Sequence, residues 1–101
     1  MPLLPKALPS NFNFQERLPH WQLGLEAKTL EREFVFRDFE SAFAFMTLSA
    51  RYAEEINHHP DWSNSWNKVS VSLSTHSAQM LTELDLALAL AMNQFAQKVQ
   101  S

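Results

Sequence analysis

The sequence predicts an α+β domain, an antiparallel sheet with helices packed on one face. Three observations carry this. Two segments alternate apolar and polar residues with period two, Leu30–Phe36 and Val69–Leu73. Two long segments, from Asp38 and from Thr82, repeat apolar residues at helical spacing. The hairpin-compatible linker Glu26-Ala27-Lys28-Thr29 and the order α-β-β-α-β-α, with room for one more short strand near Trp62–Trp66, favour an antiparallel over a parallel sheet.

In chain order, residues 1–10 hold three of the five prolines and read as a flexible, extended N-terminal segment. Residues 11–101 form one domain. Asn11–Leu18 reads as a short helix that Pro19 ends. Trp21–Leu25 reads as a strand, with Gly24, the single glycine, marking a bulge. Leu30–Phe36 is the next strand. Asp38 caps a helix running to Asn57. Its apolar stripe is Phe39, Phe43, Met46, Ala50 and Ala53, widened by Ala42, Phe45, Leu48 and Tyr52. That is more apolar surface than one sheet can cover, so a partner helix from a second subunit is expected on residues 38–57. Pro60 breaks the helix. Asn67–Ser74 is a strand. Thr82-Glu83-Leu84-Asp85 has the form of a capping box, with Asp85 reaching back to the Thr82 amide. Leu84, Leu88, Ala91, Met92, Phe95 and Val99 supply the core stripe of the last helix.

Composition narrows the function. The chain has 101 residues, 46% hydrophobic and 19% charged, which is a globular composition. Its formal charge is −3, and its eight Lys and Arg do not cluster. A nucleic-acid surface needs a basic patch, so none is expected, and neither is a polybasic membrane contact. There is no cysteine, which excludes disulfides, thiolate nucleophiles and thiolate metal ligands. One glycine cannot make a phosphate-cradling loop. The N-terminus does not read as a signal peptide, and no apolar run is long enough to span a bilayer. The expected location is cytoplasmic.

Histidine is what remains for chemistry. His58 and His59 stand side by side before Pro60, and His76 follows the alternating run Val69–Thr75. Imidazole both gives and takes a proton near neutral pH. Each cluster lies where an element ends, at the edge of the layers. One concave site lined by His58, His59 and His76 is the catalytic expectation, with two adjacent imidazoles as an acid–base pair. Zinc is disfavoured, because adjacent side chains diverge and no H-x-H or H-x-x-x-H spacing occurs. Capping or surface histidines are the structural alternative, and spacing alone does not decide between it and catalysis. His20 reads as surface.

Glu55-Ile56-Asn57-His58-His59-Pro60-Asp61-Trp62, then Trp66-Asn67-Lys68-Val69-Ser70-Val71, then Leu73-Ser74-Thr75-His76 and Leu81-Thr82-Glu83-Leu84-Asp85 resemble the pterin-4a-carbinolamine dehydratase family. Phe34–Phe39 with Ala42, Phe43, Phe45 and Met46 resembles its strand-to-helix passage. The resemblance covers about residues 20–96. It implies a four-stranded antiparallel sheet with helices on one face, in the order α-β-β-α-β-β-α. It implies a hydro-lyase that dehydrates 4a-hydroxytetrahydropterin to quinonoid dihydropterin in tetrahydrobiopterin recycling, with no cofactor and no metal. By resemblance His58 and His59 are acid and base, and His76 holds and polarises the 4a-hydroxyl. Asn57, Ser74, Thr75 and Ser77 border the pterin, and Trp62 supplies an apolar wall. Homodimers or homotetramers through the 38–57 helix are implied, as is an aromatic amino acid hydroxylase as pathway partner. The alternative is a binding module of the same fold, since some family members bind a homeodomain transcription factor. Three positions depart from the family pattern: Ser77 replaces an acid, Met80 a glycine and Trp66 a tyrosine.

Overall fold

The computed structural model describes residues 5–9 and 11–100. Its elements are α1 (Phe14–Arg17), β1 (Gln22–Leu23), a 3-10 turn (Leu25–Ala27), β2 (Leu30–Val35), α2 (Phe39–Ile56), β3 (Asp61–Ser65), β4 (Lys68–Leu73) and α3 (Glu83–Gln100). The four strands form one antiparallel sheet in the order β1-β2-β4-β3. The predicted α+β architecture is therefore observed, including the short extra strand at Asp61–Ser65.

The period-two pattern sets the faces. Leu30, Phe34, Val69, Val71 and Leu73 are buried, whereas Glu31, Glu33, Lys68 and Ser70 between them are exposed. The buried row meets Ala42, Phe45, Leu88, Ala89 and Met92 from α2 and α3 in one core. Register stacks Arg32, Val71 and Trp62 across three strands. Arg32 lies on the helix-facing side, 4.1 Å from the Phe34 ring centroid. Its Nη1 donates to Asn93 Oδ1 at 2.7 Å, and Trp21 Nε1 donates to the same oxygen at 2.8 Å.

Several boundaries are shorter than the pattern predicts. The first helix is one turn, capped by Asn13, whose Oδ1 accepts from the Glu16 amide at 3.0 Å. Only Gln22 and Leu23 of the Trp21–Leu25 segment pair as strand. Gly24 is not a bulge. It closes the β1–β2 turn, donating from its amide to the Thr29 carbonyl at 2.9 Å. A Cβ there would lie 1.8 Å from Thr29 Oγ1, so only glycine permits this approach. Of the expected N-terminal segment, residues 1–4 and 10 lie outside the described residues. Within the rest, Ala7 pairs with Thr82 and the Glu83 amide donates to the Lys6 carbonyl at 2.9 Å.

Asp38 caps α2 as expected, its Oδ1 accepting from the Ser41 amide at 2.7 Å. The face that α2 buries differs from the stripe read in the sequence. Ser41, Ala42, Phe45, Ser49 and Ala53 are buried, whereas Phe39 and Phe43 are 49% and 56% exposed. The helix is apolar on two sides, and the sheet and α3 take the side of smaller residues around Phe45.

Candidate active site

α2 ends on Asn57, which adopts a left-handed conformation (φ 51°, ψ 46°). The His58 amide then donates back to the Ala53 carbonyl at 3.0 Å. This reversal turns His58 inward, where it is 9% exposed. Its Nε2 stands 2.7 Å from Oδ1 of Asp85, a residue with no exposed surface. The other oxygen of Asp85 accepts from Thr75 Oγ1 at 2.7 Å and from the Thr82 amide at 2.9 Å. The Thr75 and Thr82 hydroxyls are themselves 2.7 Å apart. With the Thr75 proton given to Asp85, Thr82 is the donor of that pair. A buried acid needs such saturation.

His59 faces outward. Its Nε2 is 2.5 Å from Glu54 Oε2, with the two side chains 54% and 77% exposed. His76 is more exposed still, and its Nε2 lies 3.7 Å from Asp61 Oδ2, an ion-pair distance beyond hydrogen bonding. Each of the three rings thus has a carboxylate at Nε2. Asp85 also links His58 to Thr75, and Asp61 links the end of His58-His59-Pro60 to His76. The two histidine clusters are neighbours in space.

A cavity of about 440 Å³ opens beside His76, lined also by Lys28, Thr29, Ser74, Gln79 and Met80. That volume falls in the usual range of small-molecule sites. Gln79 takes a left-handed φ of 52°, the conformation that fits a glycine-type loop at the position before Met80. The predicted site residues divide. Ser74 and His76 line this cavity. Thr75 is buried in the Asp85 network, and His58 is turned into it. Asn57 and Ser77 are exposed outside the lining. Trp62 is half-buried against the core, and it lines a larger, open groove of about 720 Å³ over the outer sheet face, with His20. That groove holds none of the three clustered rings, and the smaller cavity is lined by one of them, His76, but not by His58 or His59. Among the described residues no three His, Cys, Asp or Glu side chains are placed to hold one metal ion.

Asp85, Glu54 and Asp61 were not among the predicted site residues. Asp85 was legible only as a capping residue. Glu54 stands five residues before His59, beyond the i,i+4 spacing that marks a helical pair.

The sequence profile of the family "Pterin 4 alpha carbinolamine dehydratase" matches residues 6–95. The chain belongs to that family. A Mesorhizobium japonicum relative with the provisional name pterin-4-alpha-carbinolamine dehydratase is 50% identical over 78 residues, 77% of this chain and 80% of the relative. One from Synechococcus sp. with the same provisional name is 53% identical over 72 residues, 71% and 75% of the two chains. The crystal structure of a transcriptional coactivator/pterin dehydratase from Brucella melitensis superposes with a TM-score of 0.81 at 40% identity, covering 90% of this chain and 99% of that one. A pterin dehydratase-like protein described as a RuBisCO assembly factor of the alpha-carboxysome shares the fold at a TM-score of 0.67 and 21% identity, covering 79% and 93%. No helix among the described residues is long and apolar enough to cross a membrane.

Proposed function

We propose that this member of the pterin carbinolamine dehydratase family dehydrates a 4a-hydroxytetrahydropterin by histidine acid–base catalysis. In the reaction the C4a–O bond breaks, the departing oxygen takes a proton and leaves as water, and N5 loses its proton as the C4a=N5 bond forms. One group must give a proton and another must take one. The observation that carries this reading is the carboxylate hydrogen-bonded at Nε2 of His58 and of His59. An ionised carboxylate can only accept, so a neutral ring beside it keeps its proton on Nε2 and leaves the Nδ1 lone pair free. The same carboxylate stabilises the imidazolium once that nitrogen has taken a proton.

In this reading His58 and His59 transfer the protons and His76 holds and polarises the 4a-hydroxyl. Asn57, Trp62 and the Ser74–Ser77 segment border the pterin, and Asp85 and Glu54 are positioning residues. The test supplies 4a-hydroxytetrahydropterin and follows its dehydration by wild-type protein, His59→Ala and His76→Ala. Each variant is expected to lose roughly 10²–10⁴ in rate, the range for one general acid or base. A wild-type rate equal to the spontaneous one overturns the reading, and full activity in both variants overturns the site.

The outer side of α2 supports a second property, self-association. Phe39 and Phe43 are exposed with ring centroids 5.8 Å apart, an apolar pair with no cover in the monomer. Two copies meeting along α2 would bury both pairs.

A further inference from the structure

The start of α3 is held by a piece of chain that the dehydration chemistry does not touch. An α-helix begins with amides that have no partner inside it. At α3 the Thr82 hydroxyl accepts from the Leu84 amide at 3.3 Å, and the Thr82 carbonyl from those of Asp85 and Leu86 at 3.1 and 3.3 Å. The Glu83 amide is left, and the Lys6 carbonyl accepts it at 2.9 Å. The Leu8 amide donates in turn to the Leu81 carbonyl at 3.3 Å, and Ala7 pairs with Thr82 between these two bonds. Residues 5–9 thus form a strap laid antiparallel across Leu81, Thr82 and Glu83.

We infer that this strap is a positioning element for the acid–base site. Seated, it keeps water from the Thr82 and Asp85 end of the buried network and so holds His58 in place. Lifted, it frees the ring. Its effect on rate rests on the dehydratase reading, whereas its effect on His58 does not.

The path from the strap to His58 is short. Thr82, the partner of Ala7, has no exposed surface. Its amide donates to Asp85 Oδ2 at 2.9 Å, and its hydroxyl is 2.7 Å from that of Thr75. Asp85, equally buried, meets His58 Nε2 at 2.7 Å. A buried carboxylate holds its donors more strongly than a hydrated one, because the local dielectric is low and water does not compete. Water admitted beside Thr82 would compete for Asp85 and loosen the ring. The attachment of the strap is light. Lys6, Ala7 and Pro9 are exposed, and Leu8 is the side chain that packs against the core. Segments with few buried contacts open far more readily than the whole fold. Pro5 and Pro9 at its two ends restrict the chain when it is free, which favours reseating.

The test is nuclear magnetic resonance on the full chain, with Leu8→Asn to release the anchor and Leu8→Met to restore an apolar one. Exchange with water is followed for the Glu83 amide, which the Lys6 carbonyl accepts, and for the His58 Nε2 proton, which Asp85 accepts. In wild-type protein both should show the same weak dependence on urea, the mark of a shared local opening. The Val71 amide of the central strand should follow global unfolding instead. In Leu8→Asn both protons should exchange more than about tenfold faster, the opening equilibrium lost with one apolar anchor. The kcat for 4a-hydroxytetrahydropterin should fall about fivefold, less than the roughly 100-fold cost of a misplacement of about 1 Å. KM should stay nearly unchanged, because the strap lies outside the lining of the His76 cavity. Leu8→Met should restore exchange and rate together. A Glu83 amide as slow in Leu8→Asn as in wild type overturns the inference, since the strap would not depend on its anchor. So does a released Glu83 amide beside an unchanged His58 proton or an unchanged kcat. Should Leu8→Asn not fold, Leu8→Ala is read by the same criteria. A wild-type His58 proton that follows Val71, or that exchanges too fast to observe, overturns the inference without any variant. Coupled protons with no dehydration by wild-type protein would instead overturn the dehydratase reading and leave the hold of the strap on His58 standing.

Discussion

His58 Nε2 and Asp85 Oδ1 stand 2.7 Å apart and join the end of α2 to the start of α3. Asp85→Asn keeps the shape but removes the acceptor-only group that fixes the ring. We expect kcat to fall roughly 100-fold, the low end for a misdirected acid–base group, with KM nearly unchanged. The pH dependence of kcat separates this from a folding defect, because a smaller active fraction lowers kcat by the same factor at every pH and leaves the profile unmoved. Asp85→Ala should also lower stability by about 3–5 kcal/mol in denaturant titration, because it strands His58, Thr75 and the Thr82 amide together.

Asn93 is a hub rather than a surface amide. Its Oδ1 accepts from both Trp21 and Arg32. Burial also pushes the Arg32 guanidinium below its usual pKa. Asn93→Ala removes the acceptor from two donors and should cost about 1–3 kcal/mol in urea unfolding. Asn93→Asp keeps the acceptor, adds a countercharge for Arg32 and should lose much less.

Phe43→Glu places a charge in the exposed aromatic pair on α2. Light scattering should then report a monomer where the wild-type chain self-associates, and the far-ultraviolet circular dichroism should stay the same. A wild-type monomer at micromolar concentration would remove the α2 interface.

The Asp38 carboxyl lies below the usual carboxylate range, chiefly because it accepts the Ser41 amide. A lowered folded-state pKa gives stability that is fully present above the unfolded value and fades as pH falls through the folded one. The melting temperatures of wild type and Asp38→Ala should therefore differ by a few degrees near neutral pH. They should converge only in strong acid, once the pH has fallen through the lowered folded-state value. A gap that persists there would mean the cap does not depend on the charge.

Gly24→Ala brings a methyl into Thr29 Oγ1 and within 2.6 Å of Glu31 Oε2. Relief requires Thr29 to turn away and break its bond to Glu31. Overpacking of this kind should cost about 1–3 kcal/mol, read from thermal unfolding.

Local chemistry made much of this fold legible. The Thr82–Asp85 box and the Asp38 cap act within one turn, so four consecutive residues suffice to read them. The alternation in Leu30–Phe36 and Val69–Leu73 placed the buried face of the sheet correctly. The buried side of α2 was not legible, because Phe39 and Phe43 are as apolar as Phe45 and periodicity cannot say which row meets the sheet. The histidine clusters stood out in composition, but their carboxylates did not. His58 and Asp85 are 27 residues apart and meet only after α2 and α3 pack. Lys28 and Thr29 likewise reach His76 only because the β1–β2 turn folds beside the loop after β4.

One carboxylate caps α3 and holds His58, so on the proposed mechanism it would couple architecture to chemistry at a single residue. A descendant that abandoned turnover could not simply discard the imidazole. It would keep a sealed-in anion deprived of a donor, and would have to replace that acid, and with it the anchor of its last helix, in step. Loss of catalysis in this scaffold should therefore begin at the solvent-facing rings, His59 and His76, whose removal strands nothing in the interior.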